Sequence, residues 1–442
     1  MSFHCEFAWL GGDEPVPGVT IEVDAGGSIT SVVRGAAPAG ATRLSGLTLP
    51  GLVNTHSHVF HRAIRGQTQS GVADFWRWRD LMYRVAGLLD PDLLYRLALA
   101  TYAEMALSGI TAVGEFFYLH HQPDGTPYDE PNLLGDTVIR AANDAGIRIT
   151  LLDTAYFGAD VHGAPLTGVQ RRFGDPDAQR WAERVDTLRG GPLSRVGAAI
   201  HSVRAVPRPA LAPIAAHARD HGWPLHVHVS EQPAENQACV DAYRSTPVEL
   251  LAAAGVLGPD TTAVHATHLR NTDIARLGGS ATRISMCCTT ERDLADGVGP
   301  AVRLARAGSP LCVGSDGHMM IDLWEEGRAI ELNERLATGR RGHLAPAQIA
   351  RALTVDGAAA IGWPTGGLVT GARADLVTVS LDSVRTAGAR TGNPLVHALF
   401  AATAADVTTL VVGGRTVVSD GHHTMVADVG RALQAAVADA LR

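Results

Sequence analysis

The sequence predicts an α/β fold: a closed (β/α)8 TIM barrel carrying a small β-sandwich domain formed from both termini. Three observations predict it. Across the middle of the chain, short apolar runs alternate with helical segments, the pattern of parallel β/α units. Eight such runs can be distinguished, and most end on histidine, glutamate, aspartate or arginine, as expected where a barrel builds its site at the carboxyl-terminal rim. The two ends of the chain instead carry short strands broken by glycine. With 442 residues, of which 46% are hydrophobic and 19% charged, there is ample material for a large core.

Residues 1–49 read as the first part of the β domain, with Ile21–Val23 and Ile29–Val33 flanking the turn signal Asp24-Ala25-Gly26-Gly27. Residues 50–365 are expected to form the barrel. Its strands should end near Asn54, Glu115, Asp153, His201, His228, His265, Cys287 and Ser315. Helices are expected over Pro91–Ser108, Gly135–Ala145, Asp177–Leu188, Arg208–His221, Val248–Ala254, Asp273–Leu277 and Ala301–Ala307. Leu323–Thr338 and Pro346–Ile361 should follow the last strand. Residues 366–442 complete the β domain through Ala374–Ser380, Val407–Val412 and Thr416–Ser419. Gly430–Arg442 closes the chain as an amphipathic helix, with Leu433, Ala436, Val437 and Leu441 on one stripe.

Composition excludes several classes. The net charge of −8, with arginines scattered rather than clustered, gives no footprint for nucleic acid or an anionic membrane. The apolar stretch Leu93–Val113 is interrupted by Arg96 and Glu104 and does not suit a bilayer. The amino terminus lacks a basic segment ahead of an apolar one, so a cytoplasmic protein is expected. The five cysteines form no C-x-x-C pair, and the adjacent Cys287 and Cys288 are too cramped for an ordinary disulfide; buried reduced thiols are expected. No lysine occurs, so all 37 basic residues are arginine. That excludes Schiff-base chemistry, a P-loop lysine and a carboxylated lysine bridging two metals.

The chemistry-bearing residues fall at strand ends. In PGLVNTHSH, His56 and His58 lie two apart on one face of a strand and can converge on one ion. The fifth strand repeats the spacing as His226-Val227-His228, where His228 is the better ligand and His226 packs deeper. Strand six ends at His265 and strand eight at Ser315-Asp316-Gly317-His318. Three histidines and an aspartate on one rim suit a single Zn²⁺ or similar divalent ion with a position left for water, whose pKa it would lower toward about 7. Glu231, three residues after His228, is placed to carry a proton between water and the leaving nitrogen. His265 fits a second acid/base or an electrostatic stabiliser, and Asp316 can both ligate and accept a proton.

These segments, with HVHVSEQ, VHATH and GSDGH, resemble the amidohydrolase superfamily, mononuclear deaminase branch. Further segments narrow the resemblance: FWRWRDLMYR (75–84), EFFYLHH (115–121), GVQRRF (168–173), IHSVRAV (200–206) and LADGVGP (294–300) are similar to formimidoylglutamate deiminases over nearly the whole chain. The resemblance implies that His56, His58, His228 and Asp316 ligate one zinc per chain, with another divalent metal an alternative, and that Glu231 and His265 are the catalytic acid/base pair. It further implies substrate contacts from His61, Arg79, Tyr118, His201 and Arg204, and a homodimer. The implied substrate is N-formimino-L-glutamate, a dicarboxylate for which fixed guanidinium groups are chemically suited. Two positions depart from the family: His61 stands where glutamine is frequent, and Phe117 where histidine is common. His120 and His121 follow on the same loop, facing either solvent or function.

Two alternatives stay open. A related aminohydrolase acting on a cyclic amidine would prefer flat apolar walls around the metal. A silent metal-binding scaffold would lack the proton-transfer set, whereas Glu231 and His265 are both present here.

Overall fold

The computed structural model describes residues 1–69, 75–363 and 366–442. Thr365, where the barrel segment is expected to end, and the side chains of Phe75–Arg77 lie outside the described residues.

The chain opens with β1 (Ser2–Ala8), β2 (Val16–Val23), β3 (Ile29–Arg34) and β4 (Thr42–Pro50). It then enters eight parallel strands: β5 (Leu52–Ser57), β6 (Ile110–Phe117), β7 (Arg148–Ala155), β8 (Ser194–Ile200), β9 (Leu225–Val229), β10 (Thr261–His265), β11 (Arg283–Met286) and β12 (Leu311–Val313). Their spatial order is their chain order. The Asp316 amide donates to the His56 carbonyl at 3.0 Å, and a parallel bridge pairs Ser57 with Asp316, bringing the last strand onto the first. Every residue of β6 and β7 is buried, as parallel strands covered on both faces require.

The expected strand ends agree with the observed ones to within three residues, and most expected helices form. The segment expected as one helix, Pro346–Ile361, is two, Pro346–Leu353 and Val355–Ala360. The break is at Thr354, whose backbone leaves the helical region (φ −130°, ψ −89°) while its hydroxyl donates to the Ala350 carbonyl at 2.7 Å. Helices at Phe75–Leu88, Pro233–Tyr243, Cys288–Asp293 and Pro394–Ala401 were not expected. Two of them start with proline, which is pre-organised for the first helical turn and costs no backbone bond there.

The last strands, β13 (Leu376–Val379), β14 (Val407–Val412), β15 (Arg415–Ser419) and β16 (His422–His423), join β1–β4 in one sheet. Its order is β16-β15-β14-β13-β4-β1-β2-β3, so β4 and β13 splice the two termini. Gly46 in β4 makes that splice possible: a Cβ there would lie 2.1 Å from the Val379 carbonyl oxygen, and its φ is +108°. A separate apolar cluster that includes Phe3, Cys5, Ile21, Leu44, Leu376 and Val411 fills this part. The sheet is tied to the barrel by Arg148 of β7, whose Nε is 2.7 Å from Oδ2 of Asp375, both side chains being buried. Among the described residues no helix is long and apolar enough to cross a membrane.

Candidate active site

Alternation along β5 sends His56 and His58 to the same rim. Beyond β12 the chain turns back at Asp316, whose side chain meets them. Asp316 Oδ1 lies 3.2 Å from His56 Nε2 and 3.3 Å from His58 Nε2, and His228 Nε2 is 3.1 Å from His56 Nε2. These four buried side chains offer donor atoms all within 4.8 Å of one another. Two of the rings are aimed from behind. His58 Nδ1 is 2.8 Å from the Phe116 carbonyl and His228 Nδ1 is 2.7 Å from the His201 carbonyl. A proton held at Nδ1 by those carbonyls leaves each Nε2 lone pair facing inward, the orientation that metal-ligating histidines adopt. Burial, with neighbouring rings, keeps all three histidines well below the ordinary range and so neutral. Burial opposes ionisation of Asp316, yet the surrounding histidines hold its carboxyl below its usual value. Three neutral imidazoles and one carboxylate are a fitting donor set for a borderline divalent cation.

Glu231 and His265 adjoin this cluster. His265 Nε2 is 3.7 Å from Glu231 Oε1 and 3.8 Å from Asp316 Oδ2. Burial alone would lower His265, but Glu231, Glu291 and Asp316 together push it up to about 10. Desolvation raises Glu231, and Asp316 adds to that, while His265 and Arg204 pull the other way. Ser230, His265 and Asp316 all hold left-handed backbone (φ 52°, 67° and 41°), so non-glycine strain of about 1–3 kcal/mol each collects at the ends of β9, β10 and β12.

A cavity of ≈ 500 Å³ opens over the cluster. His58, His228, Asp316, Glu231 and His265 line it, as do His61, Arg79, Tyr118, His201 and Arg204. His56 is fully buried behind them. All eleven residues singled out in the sequence therefore meet in one place. The Arg204 guanidinium faces Tyr83, Tyr156, Glu231 and Glu235 and makes no hydrogen bond among the described residues. Arg79 sits on the helix Phe75–Leu88 with its guanidinium 5.5 Å from the Tyr83 ring centre. His61 Nε2 is 2.9 Å from the Tyr118 hydroxyl, and burial lowers this imidazole to about 4, so it stays uncharged at neutral pH.

Three further histidines singled out in the sequence, His226, His120 and His121, do not line the cavity. His226 points its Nε2 at the Ala360 carbonyl, 2.9 Å away inside the barrel, as expected. Of the two alternatives for His120 and His121, the solvent-facing one is corrected: both are buried, outside the cavity, with their Nε2 atoms at the Thr154 and Gly174 carbonyls. Phe117 is also buried away from the cavity, so this departure does not alter its lining. Sequence reasoning missed Glu291, Glu115, Glu235 and Asp296. Glu115 accepts from Ser57 Oγ at 2.6 Å and the Val59 amide at 2.7 Å, beneath the strand end that carries His56 and His58. Its signal was present: a glutamate near the end of a largely apolar strand. Glu291 stands in the unforeseen helix Cys288–Asp293, and no local pattern marked it.

Residues 47–417 match the amidohydrolase family. A formimidoylglutamate deiminase of Pseudomonas aeruginosa is 35% identical over 419 residues, covering 92% of this chain and 92% of its own. A 5-methylthioadenosine/S-adenosylhomocysteine deaminase of Natronomonas pharaonis is 27% identical over 85% of this chain and 82% of its own. Among solved structures, an amidohydrolase from Brucella melitensis superposes with a TM-score of 0.90 over all of both chains, at 31% identity.

Proposed function

The chain belongs to the amidohydrolase family, and from that premise we propose that it is a zinc-dependent deiminase converting N-formimino-L-glutamate and water to N-formyl-L-glutamate and ammonia. The observation that carries this reading is the pairing, in one cavity, of the four-donor cluster with Arg79 and Arg204. A dicarboxylate substrate brings two negative charges, and Arg204 has no hydrogen-bonded partner of its own among the described residues. The 35% identity with a formimidoylglutamate deiminase supports the same substrate.

His56, His58, His228 and Asp316 would hold one zinc or other divalent ion, which supplies Lewis acidity and activates water when bound. The chain's own groups do the rest. Arg204 and Arg79 dock the carboxylates, with the Tyr118 hydroxyl, tied to His61, and His201 beside them. That docking fixes the formimino carbon over the cluster, which removes the entropic part of the barrier. As water adds to the C=N carbon, a C–O bond forms and Glu231 takes the proton released. Glu231 then delivers it to the imino nitrogen; the remaining proton of the added hydroxyl passes to the same nitrogen by the same route, so the C=O bond forms, the C–N bond breaks and ammonia leaves. His265, held protonated by the carboxylates around it, stabilises the negative charge that builds up at the reacting carbon's substituents. Its separation of 3.7 Å from Glu231 permits the two to share the proton traffic.

A second reading, a deaminase of a cyclic amidine, is favoured by Tyr83, Tyr156 and Phe173, which also line the cavity and could cover a flat ring. Ammonia release separates the two. Protein of measured metal content is given N-formimino-L-glutamate or adenosine, beside a Glu231→Gln control. Release from the formimino compound that the control and a chelator both abolish supports the proposal. Release from the nucleoside alone overturns it. The residues assigned a role all fall within 50–365, the segment we assign to the barrel domain; a cytoplasmic homodimer is part of the same proposal.

A further inference from the structure

Away from the cavity, Asp186, His217 and His221 bring three donor atoms within 4.8 Å of one another. His217 and His221 lie four residues apart near the end of the helix Arg208–Asp220, which puts both rings on one face. Asp186 follows the helix Ala178–Val185, which belongs to the preceding β/α unit. Asp186 Oδ1 is 2.9 Å from His217 Nε2 and 3.4 Å from His221 Nε2. Those spacings bracket the 3.1–3.3 Å found among the donors of the main cluster.

Hydrogen bonding does not account for this arrangement. His217 Nε2 is buried and, despite the short distance, lacks the alignment of a hydrogen bond. His221 Nδ1 is 2.9 Å from the His217 carbonyl, which places its proton there and leaves the Nε2 lone pair facing Asp186. Trp223 packs on both rings, at 4.4 Å from His221 and 5.6 Å from His217, and Trp181 stands 5.4 Å from His217. The rings are therefore held in place before any ligand arrives. Two helix carboxyl ends converge here, and their partial negative charge favours a cation. Arg189 lies close by, but its guanidinium is engaged by the carbonyls of Asp186 and Leu188. His221 and Asp186 are 40% and 45% exposed, so water can complete the shell.

We propose that Asp186, His217 and His221 form a second, surface divalent-metal site, taking Zn²⁺, Ni²⁺ or Cu²⁺ through two imidazoles and one carboxylate. In a (β/α)8 barrel the helices run back against the strands, so their carboxyl ends lie on the face opposite the cavity. That face serves stability rather than catalysis. The ion staples two consecutive β/α units from outside.

Because the rings abut two tryptophans, occupancy has an optical readout that does not depend on activity. Protein carrying its resident metal is titrated with Cu²⁺ while tryptophan emission is followed, and its thermal midpoint is measured with and without Zn²⁺. The expected result is saturable quenching at one added equivalent and a midpoint rise of about 3 °C. Both should be lost in His221→Ala, whose exposed side chain can be removed with little strain, and in His217→Ala. Equal quenching and equal midpoint shifts in parent and variants would overturn the site, as would the absence of both in the parent.

Discussion

Glu291 Oε1 lies 3.5 Å from Nδ1 of His265, while Glu231 approaches the other ring nitrogen. The imidazole is thus held between two carboxylates, one lining the cavity and one fully behind it. Glu291 is itself pinned by the Cys287 amide, which donates to it at 3.1 Å. Glu291→Gln removes the rear charge but keeps the shape. The expected outcome is a kcat about 10- to 100-fold lower, with KM and metal content little changed. Steady-state kinetics beside metal analysis decide it; a fall in metal content equal to the fall in kcat would count against a positioning role.

Arg204→Ala should act on binding rather than on chemistry. A charge-assisted hydrogen bond to a carboxylate contributes about 1.5–3 kcal/mol, so KM for the formimino dicarboxylate should rise by about 10- to 150-fold. A lysine at this position restores charge without the fork and should recover only part. If instead the substrate is a neutral ring, KM should barely change.

Gly314 precedes the turn that carries Asp316, and a Cβ there would lie 2.6 Å from His56 Cβ and 2.9 Å from the His56 backbone nitrogen. Gly314→Ala must push the last strand off the first. Overpacking of this kind costs about 1–3 kcal/mol, and here it also separates His56 from Asp316. Both the thermal midpoint and the metal affinity should fall; a lower midpoint with unchanged metal affinity would show that the two strands move together.

Glu115 supplies a pH dependence of stability. Burial pushes its carboxyl up to about 8 in the folded chain, against an ordinary 4.5. A raised carboxyl pKa means that the folded state holds a proton the unfolded state has released. The contribution is therefore fully present below the ordinary value and is lost as pH rises toward about 8. Thermal midpoints measured from pH 5 to 8 should decline less steeply in Glu115→Gln than in the parent. Parallel curves would show that the carboxyl is ionised in the fold.

How much of this was legible before folding depends on whether a residue's role is local. The strand ends at His228 and His265 could be located because an apolar run stopping at a polar residue is a local pattern, and a barrel puts all such ends on one rim. The helices at Pro233–Tyr243 and Cys288–Asp293 could not: the first has almost no apolar stripe, with Cys239 its one buried side chain, and the second is a turn and a half long. Arg79 could be named only through its resemblance to relatives. Its place on a helix follows from how Phe75–Leu88 packs over the rim, not from its neighbours in sequence.

The barrel, the sheet spliced from both termini and the polar strand ends were legible in the sequence, because periodicity and strand-end chemistry are written in consecutive residues; which four of those side chains form one donor set came from the resemblance. Only the tertiary structure decided which polar groups back that set. Glu291 behind His265, Glu115 beneath Ser57 and the Phe116 and His201 carbonyls behind His58 and His228 come from other strands, from a loop or from a helix. The same is true of Asp186 beside His217 and His221, on neighbouring helices. Such pairings are set by strands and helices lying side by side in the ring, which brings together residues tens of positions apart, from His228 and His201 with a separation of 27 to Ser57 and Glu115 with a separation of 58. No local pattern encodes that distance.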